Sequence, residues 1–180
     1  MLVRIGMMSL VVALAPQALA LTYGQAVSLA RSLPPGSYSS TDHGKLCEII
    51  GLAALQEDFP DARIYNGIAY SDATRTIGEL DLVVEENGVA THVIEVKCMK
   101  DFRSAARKAD DQLARFSRYA GRCDIDFSLV GGEVVDCDLF ANPQIIYGKM
   151  SYRDALSSGF DYELDLTRSQ ILTLIDSMKN

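Results

Sequence analysis

Beyond its first twenty residues the chain alternates between two hydrophobic periods, and the switches mark its elements. Residues 22–32 read as a short helix, and the 32–40 stretch with Pro34-Pro35-Gly36 reads as a turn. From Asp42 to Phe59, Leu46, Ile49, Ile50, Ala53 and Ala54 recur at helical spacing. Thr41 or Ser40 is available as a cap, and Pro60-Asp61 stops the helix. Residues 62–70 read as a strand. Two alternating segments, TIGELDLVVE and VATHVIEVKC, then flank Asn87-Gly88, a strong hairpin signal. Phe102, Ala105, Ala106, Ala109, Leu113, Phe116 and Ala120 predict a second long amphipathic helix over 101–120. Strands are expected at 124–130 and 133–140, and short closing helices at 151–158 and 167–178. The order α, β, β, β, α, β, β predicts an α/β fold with a mixed central sheet flanked by helices.

The first twenty residues follow other rules. Arg4 precedes an apolar run from Ile5 to Ala15, Pro16 breaks it, and Ala18-Leu19-Ala20 offers small residues at a cleavage position. This is the three-part pattern of a secretory signal, and the run is too short to span a bilayer comfortably. Export to a periplasmic or extracellular location is expected, with a mature chain of a 21–40 helix and turn followed by one domain over 41–180. An ordinary apolar first helix on a cytoplasmic protein is the alternative. The four cysteines suit an oxidising compartment. Cys123 and Cys137 flank Gly131-Gly132 and can bond across a hairpin, whereas Cys47 and Cys98 are expected as buried free thiols. No Cys/His spacing suggests zinc.

A formal charge of −7 argues against a protein that coats nucleic acid indiscriminately. From Lys97 to Arg122, however, eight Lys or Arg stand against three Asp. This strip is either a solvated helix face or a phosphate-facing surface, and in the second case Lys100, Arg107, Lys108 and Arg115 are the candidate contacts.

The hairpin carries the candidate chemistry. With a period of two, Glu79 and Asp81 share one face of its first strand, and Glu95 and Lys97 share one face of its second, about 6.6 Å apart along the strand. A two-residue Asn87-Gly88 turn would set Asp81 and Glu95 on opposite faces. A three-residue loop pairs Asp81 with Val93 and Glu79 with Glu95, buries Leu80, Leu82, Val84, Ile94 and Val96 together, and gathers the acids. The second register is the expected one. Carboxylates held close repel unless a cation lies between them. Asp81, Glu95, the backbone carbonyl of Val96 and waters would make a Mg²⁺ (or Mn²⁺) site. Such an ion polarises a phosphodiester and activates water, and a lysine alongside stabilises the charge that develops. A solvent-exposed polar sheet face is the competing reading of the same residues.

Gly78-Glu79-Leu80-Asp81-Leu82 followed by Ile94-Glu95-Val96-Lys97 resembles the PD-(D/E)xK, restriction-endonuclease-like nuclease superfamily, most of all its resolvase-like and RecB-like branches. The resemblance covers about residues 41–130 and implies an αβββαβ core. It implies that Asp81 and Glu95 are metal-binding acids, that Lys97 is the catalytic lysine, and that Glu48 is an auxiliary acid touching the metal through water. Gln112 with Phe116 is similar to the QxxxY element of that superfamily, in which the glutamine contacts the active site or DNA. Leu80 stands in place of the motif's proline. The implied activity is metal-dependent hydrolysis of nucleic acid, DNA before RNA. The alternatives are a non-catalytic envelope or partner-binding module retaining the fold, and a cytoplasmic repair or recombination nuclease. There is no phosphate-cradling Gly-rich loop and no GxSxG elbow. His92 is expected to be structural, while His43, one turn before Glu48, is placed to approach the site.

Overall fold

The computed structural model describes residues 17–19, 21–32 and 43–177. In chain order its strands are β1 (Gln17–Leu19), β2 (Arg63–Asp72), β3 (Arg75–Glu86), β4 (Val89–Val96), β5 (Asp126–Leu129), β6 (Val134–Val135), β7 (Ile146–Tyr152) and β8 (Tyr162–Leu164). They form one mixed sheet in the order β1-β8-β7-β4-β3-β2-β5-β6. Pairing is antiparallel from β4 through β3, β2 and β5 to β6, and parallel from β4 through β7 and β8 to β1. The helices are α1 (Tyr23–Ser32), α2 (His43–Asp58), α3 (Phe102–Phe116) and α4 (Arg168–Ser177).

Both faces of the sheet are covered, which explains why β3 and β4 are nearly continuous apolar runs at their centres. On one face Leu82, Val84, Ile94, Val96 and Met150 pack with Leu46, Cys47 and Ile50 of α2 and with residues of α1 and α4. On the other, Ile68, Tyr70, Val83 and Val93 pack with Leu113 and Phe116 of α3. Phe116 is the hub there: its ring lies 5.0 Å from that of Phe140 and 5.4 Å from that of Tyr70. Asp101 caps α3, its carboxylate accepting from the N–H groups of Arg103 and Ser104. Thr22 with Gln25, and Thr167 with Gln170, form reciprocal boxes at the starts of α1 and α4.

Several expectations change. Residues 146–152 are a strand where a helix was expected from 151, with only a short 3-10 turn at Leu156–Ser158. In β7 Met150, Ser151 and Tyr152 are all buried, so alternation gave no warning of a strand. The expected 133–140 strand is two residues of β6 followed by a 3-10 turn at Cys137–Phe140, and α3 ends at Phe116 rather than 120. Cys47 and Cys98 are bonded to each other, not free, and Cys123 bonds Cys137. Cross-links of these spans each stabilise the fold by roughly 3–4 kcal/mol in the chain-entropy picture. The proposed signal and the 33–40 turn lie outside the described residues, except Gln17–Leu19, which pair with β8. Among the described residues no helix is long and apolar enough to cross a membrane.

The hairpin register also differs from the expected one. Asn87 and Gly88 form a two-residue turn with φ of 56° and 85°, and Glu86 pairs with Val89. A bulge between Val84 and Glu85 then shifts the ladder, so that Val84 faces His92 and Leu82 faces Ile94. The extra residue restores by another route the parity that the three-residue loop was invoked to supply. Asp81 therefore lies level with Glu95 on the same face, rather than diagonal to it, and Glu79 pairs with Ala69 on β2.

Gly67 is the second irregularity that matters. Its φ of +75° turns β2 so that Asn66 and Ile68 address different sides, and a Cβ there would lie 3.0 Å from Glu79 Oε1 and 3.1 Å from Val130 Cγ2. Gly67→Val is expected to lower stability by about 1–3 kcal/mol in urea unfolding. An unchanged midpoint would show that the turn carries no such constraint.

Candidate active site

β4 parts from β3 at the motif. The β3–β4 ladder runs to Leu82↔Ile94, while β4 continues beside β7 through Val96↔Met150, and Lys97 N–H donates to Met150 O at 2.9 Å. Where the strands part, the Val96 N–H donates to Asp81 Oδ2 at 2.8 Å, a side chain standing in for the ladder's carbonyl. Lys97 Nζ lies 2.7 Å from the same Oδ2 and 2.8 Å from Glu95 Oε2. The Glu95 side chain is wholly buried and those of Asp81 and Lys97 nearly so, each 11% exposed. The structure thus brings Asp81, Glu95 and Lys97 together.

Their electrostatics follow from burial. Desolvation, reinforced by the charge of Asp81 and only partly offset by Lys97, pushes the Glu95 carboxyl up from 4.5 to about 8. Glu95 therefore holds a proton at neutral pH, and its contact with Lys97 is a hydrogen bond to a neutral carboxyl rather than a full ion pair. Burial works against the charge of Lys97, but the charge of Asp81 and the hydrogen bonds to Asp81 and Glu95 outweigh it and hold the ammonium above its ordinary value.

Glu48 joins from α2 through two residues that sequence reasoning missed. Lys45 Nζ contacts Glu48 Oε2 at 2.7 Å and Asn66 Oδ1 at 2.8 Å. The Asn66 amide in turn donates to the backbone O of Asp81 at 3.2 Å and, more weakly, to Glu48 Oε2 at 3.4 Å. Burial raises the Glu48 pKa and the Asp81 charge adds to it, against the hydrogen bonds from Lys45 and Asn66. The available signals were a lysine one turn before an acid and an asparagine beside a glycine in mid-strand.

Two buried oxygens have no hydrogen-bond partner: Glu95 Oε1 and Gln112 Oε1. An unpartnered buried polar atom costs about 1–3 kcal/mol, so both call for a hydrogen-bond partner or a cation. Hard carboxylate oxygens are the donors that a hard divalent cation takes. The carboxylates of Glu48, Asp81 and Glu95 are not drawn together as a set of three within 4.8 Å, and the Lys97 ammonium lies between two of them. The one Cys/Asp group close enough among the described residues, Cys123, Cys137 and Asp138, is unsuited to metal because both sulfurs are in a disulfide.

The remaining candidates divide. Val96 borders the cluster and its N–H is committed to Asp81. Lys100, Arg107, Lys108 and Arg115 are exposed on or just before α3, with Arg115 reaching the carbonyl of Ile77 at 3.4 Å. Arg122 is drawn off into a pair with Asp124, while Lys149 of β7 offsets Asp110, so the two pairs leave the net charge of the strip unchanged. Glu79 is exposed, its Oε1 beside Gly67 on the side where Lys45 also lies. His92 is buried against Phe59, ring centroids 4.9 Å apart, with Thr91 Oγ1 3.0 Å from its Nδ1. The side chain of His43 lies outside the described residues. No family model, curated protein or solved structure matches this chain.

Because the Glu95 pKa is raised by folding, the native state binds its proton more tightly than the unfolded chain. The resulting stability is complete below 4.5 and is lost as pH rises through about 8. With chelator present, melting temperature is expected to fall between pH 5 and 9 more steeply for the wild type than for Glu95→Gln. Parallel profiles would contradict the buried, protonated carboxyl.

Proposed function

We propose that this protein is a divalent-metal-dependent nuclease of the PD-(D/E)xK kind, hydrolysing phosphodiester bonds in DNA after export. The observation that carries the reading is the buried Asp81–Glu95 pair with an orphaned Glu95 oxygen and the Lys97 ammonium bound to both acids. The chain order α2, β2, β3, β4, α3, β5 agrees with an αβββαβ core of the restriction-endonuclease-like type. Two disulfides agree with an oxidising location.

Asp81 and Glu95 would hold Mg²⁺ or Mn²⁺, with Val96 O and, through water, Glu48 completing the surroundings. The bound ion supplies Lewis-acid polarisation of the phosphodiester and acidifies water. The chain's own residues do the rest. The Val96 N–H and Lys97 fix the orientation of Asp81, and Asn66 ties Glu48 to the carbonyl of Asp81. Lys97, with two donors on carboxylates, keeps a third N–H for a phosphate oxygen on which charge accumulates. Burial of Glu95 excludes water from its side of the site and strengthens each charge interaction there. Gln112 and the exposed Lys100, Arg107, Lys108 and Arg115 are the proposed contacts for nucleic acid, the basic four acting on phosphates irrespective of sequence.

A second reading, a non-catalytic module retaining the fold, is favoured by one feature: Lys97 already neutralises the acid pair. It requires that Mn²⁺ not bind. In plasmid and linear-DNA digestion with Mg²⁺ or Mn²⁺, Lys97→Ala is expected to lose about 10²–10³-fold in rate. Asp81→Ala and chelator are each expected to abolish cleavage. Equal cleavage by wild type and Lys97→Ala, or none with either metal, would overturn the nuclease reading.

A further inference from the structure

The two disulfides hold different things. Cys123–Cys137 joins residues 14 apart beside β5 and β6, with Cys123 exposed. Cys47–Cys98 joins residues 51 apart and links α2 to the irregular stretch between β4 and α3. Cys47 directly precedes Glu48, and Cys98 directly follows Lys97. The hydrogen bonds that anchor this stretch run to β7: Lys97 N–H to Met150 O, Ser151 Oγ to Lys97 O and Tyr152 OH to Met99 O. Those that anchor Glu48 run to Lys45 and to Asn66 of β2. The covalent bond therefore joins two groups of hydrogen bonds that run to different strands, across the apolar contact of α2 with Val96 and Met150.

We propose that Cys47–Cys98 is a redox site controlling the adjacent acid cluster: oxidised, it holds Glu48 and Lys97 in place for a divalent cation, and reduced, it releases them. The inference rests on the metal-binding part of the proposed function and is independent of the substrate. Cys47 is fully buried and Cys98 half-buried, so a reductant approaches the bond from the Cys98 side. A dithiol reductant attacks Cys98 Sγ as thiolate, the S–S bond breaks and Cys47 Sγ leaves with the electron pair. The second thiol then resolves the mixed disulfide. The reductant is oxidised to its own disulfide, and both cysteines end as thiols after taking up two protons. A chain kept reduced inside a cell would thus bind the cation poorly, and competence would come with oxidation.

The test is calorimetric Mn²⁺ titration of the full chain in three forms: oxidised, reduced with a dithiol that is then removed without air, and Cys47→Ala with Cys98→Ala. Cys123→Ala with Cys137→Ala is the control, and circular dichroism verifies folding. Hydrogen exchange follows residues 44–50 and 96–100 in each form. The oxidised protein and the control are expected to bind Mn²⁺ at least about tenfold more tightly than the other two. Protection in those two segments is expected to fall on reduction while that of β2 and β3 holds. If the alanine pair fails to fold, the reduced wild type decides. Equal affinity with unchanged protection overturns the switch and leaves the metal site standing, whereas no Mn²⁺ binding by the oxidised protein overturns both.

Discussion

Two carboxyl groups, Asp81 and Glu95, are held together in a place where water cannot screen them, and much of the fold serves that constraint. The cost is met in three ways. Glu95 keeps a proton at neutral pH, Lys97 donates to both acids, and the Val96 N–H is given up by the sheet to Asp81. Each device depends on β4 leaving β3 at Ile94 while staying beside β7, so the parting of the strands and the chemistry of the cluster are one feature.

That feature is supported from a distance. Burial on both faces prevents the hairpin from relaxing, because Leu82 and Ile94 are committed to the α2 side and Val83 and Val93 to the α3 side. Gly67 permits the turn of β2 that brings Asn66 to Glu48 and to the carbonyl of Asp81. The Cys47–Cys98 bond then closes the cluster from the α2 side. In the proposed reading a divalent ion would take the place of the proton that Glu95 holds.

Much of this was legible in the residues. Alternation placed Asp81, Glu95 and Lys97 on one face, and the amphipathic patterns gave α2 and α3. The register was not legible, because a bulge at Val84/Glu85 has no sequence mark as clear as Asn87-Gly88. The apolar pattern forced the right parity by the wrong loop, and it grouped Leu80 with Leu82 although Leu80 packs on the α3 face. β7 was missed because its neighbour β4 is distant in sequence and parallel pairing leaves no local turn signal. The Cys47–Cys98 bond was missed because it depends on α2 and the end of β4 meeting across the sheet. Lys45 and Asn66 have meaning only once that packing exists.

The central claim is that the Asp81–Glu95 pair takes a divalent cation in place of the Glu95 proton. The direct measurement is calorimetric titration of Mn²⁺ at pH 7 in buffers of different ionisation enthalpy, which counts protons released on binding. With the Glu95 carboxyl at about 8, close to one proton is expected per ion, falling to none in Glu95→Gln. Binding with no proton release, or the same release from the variant, would contradict the account.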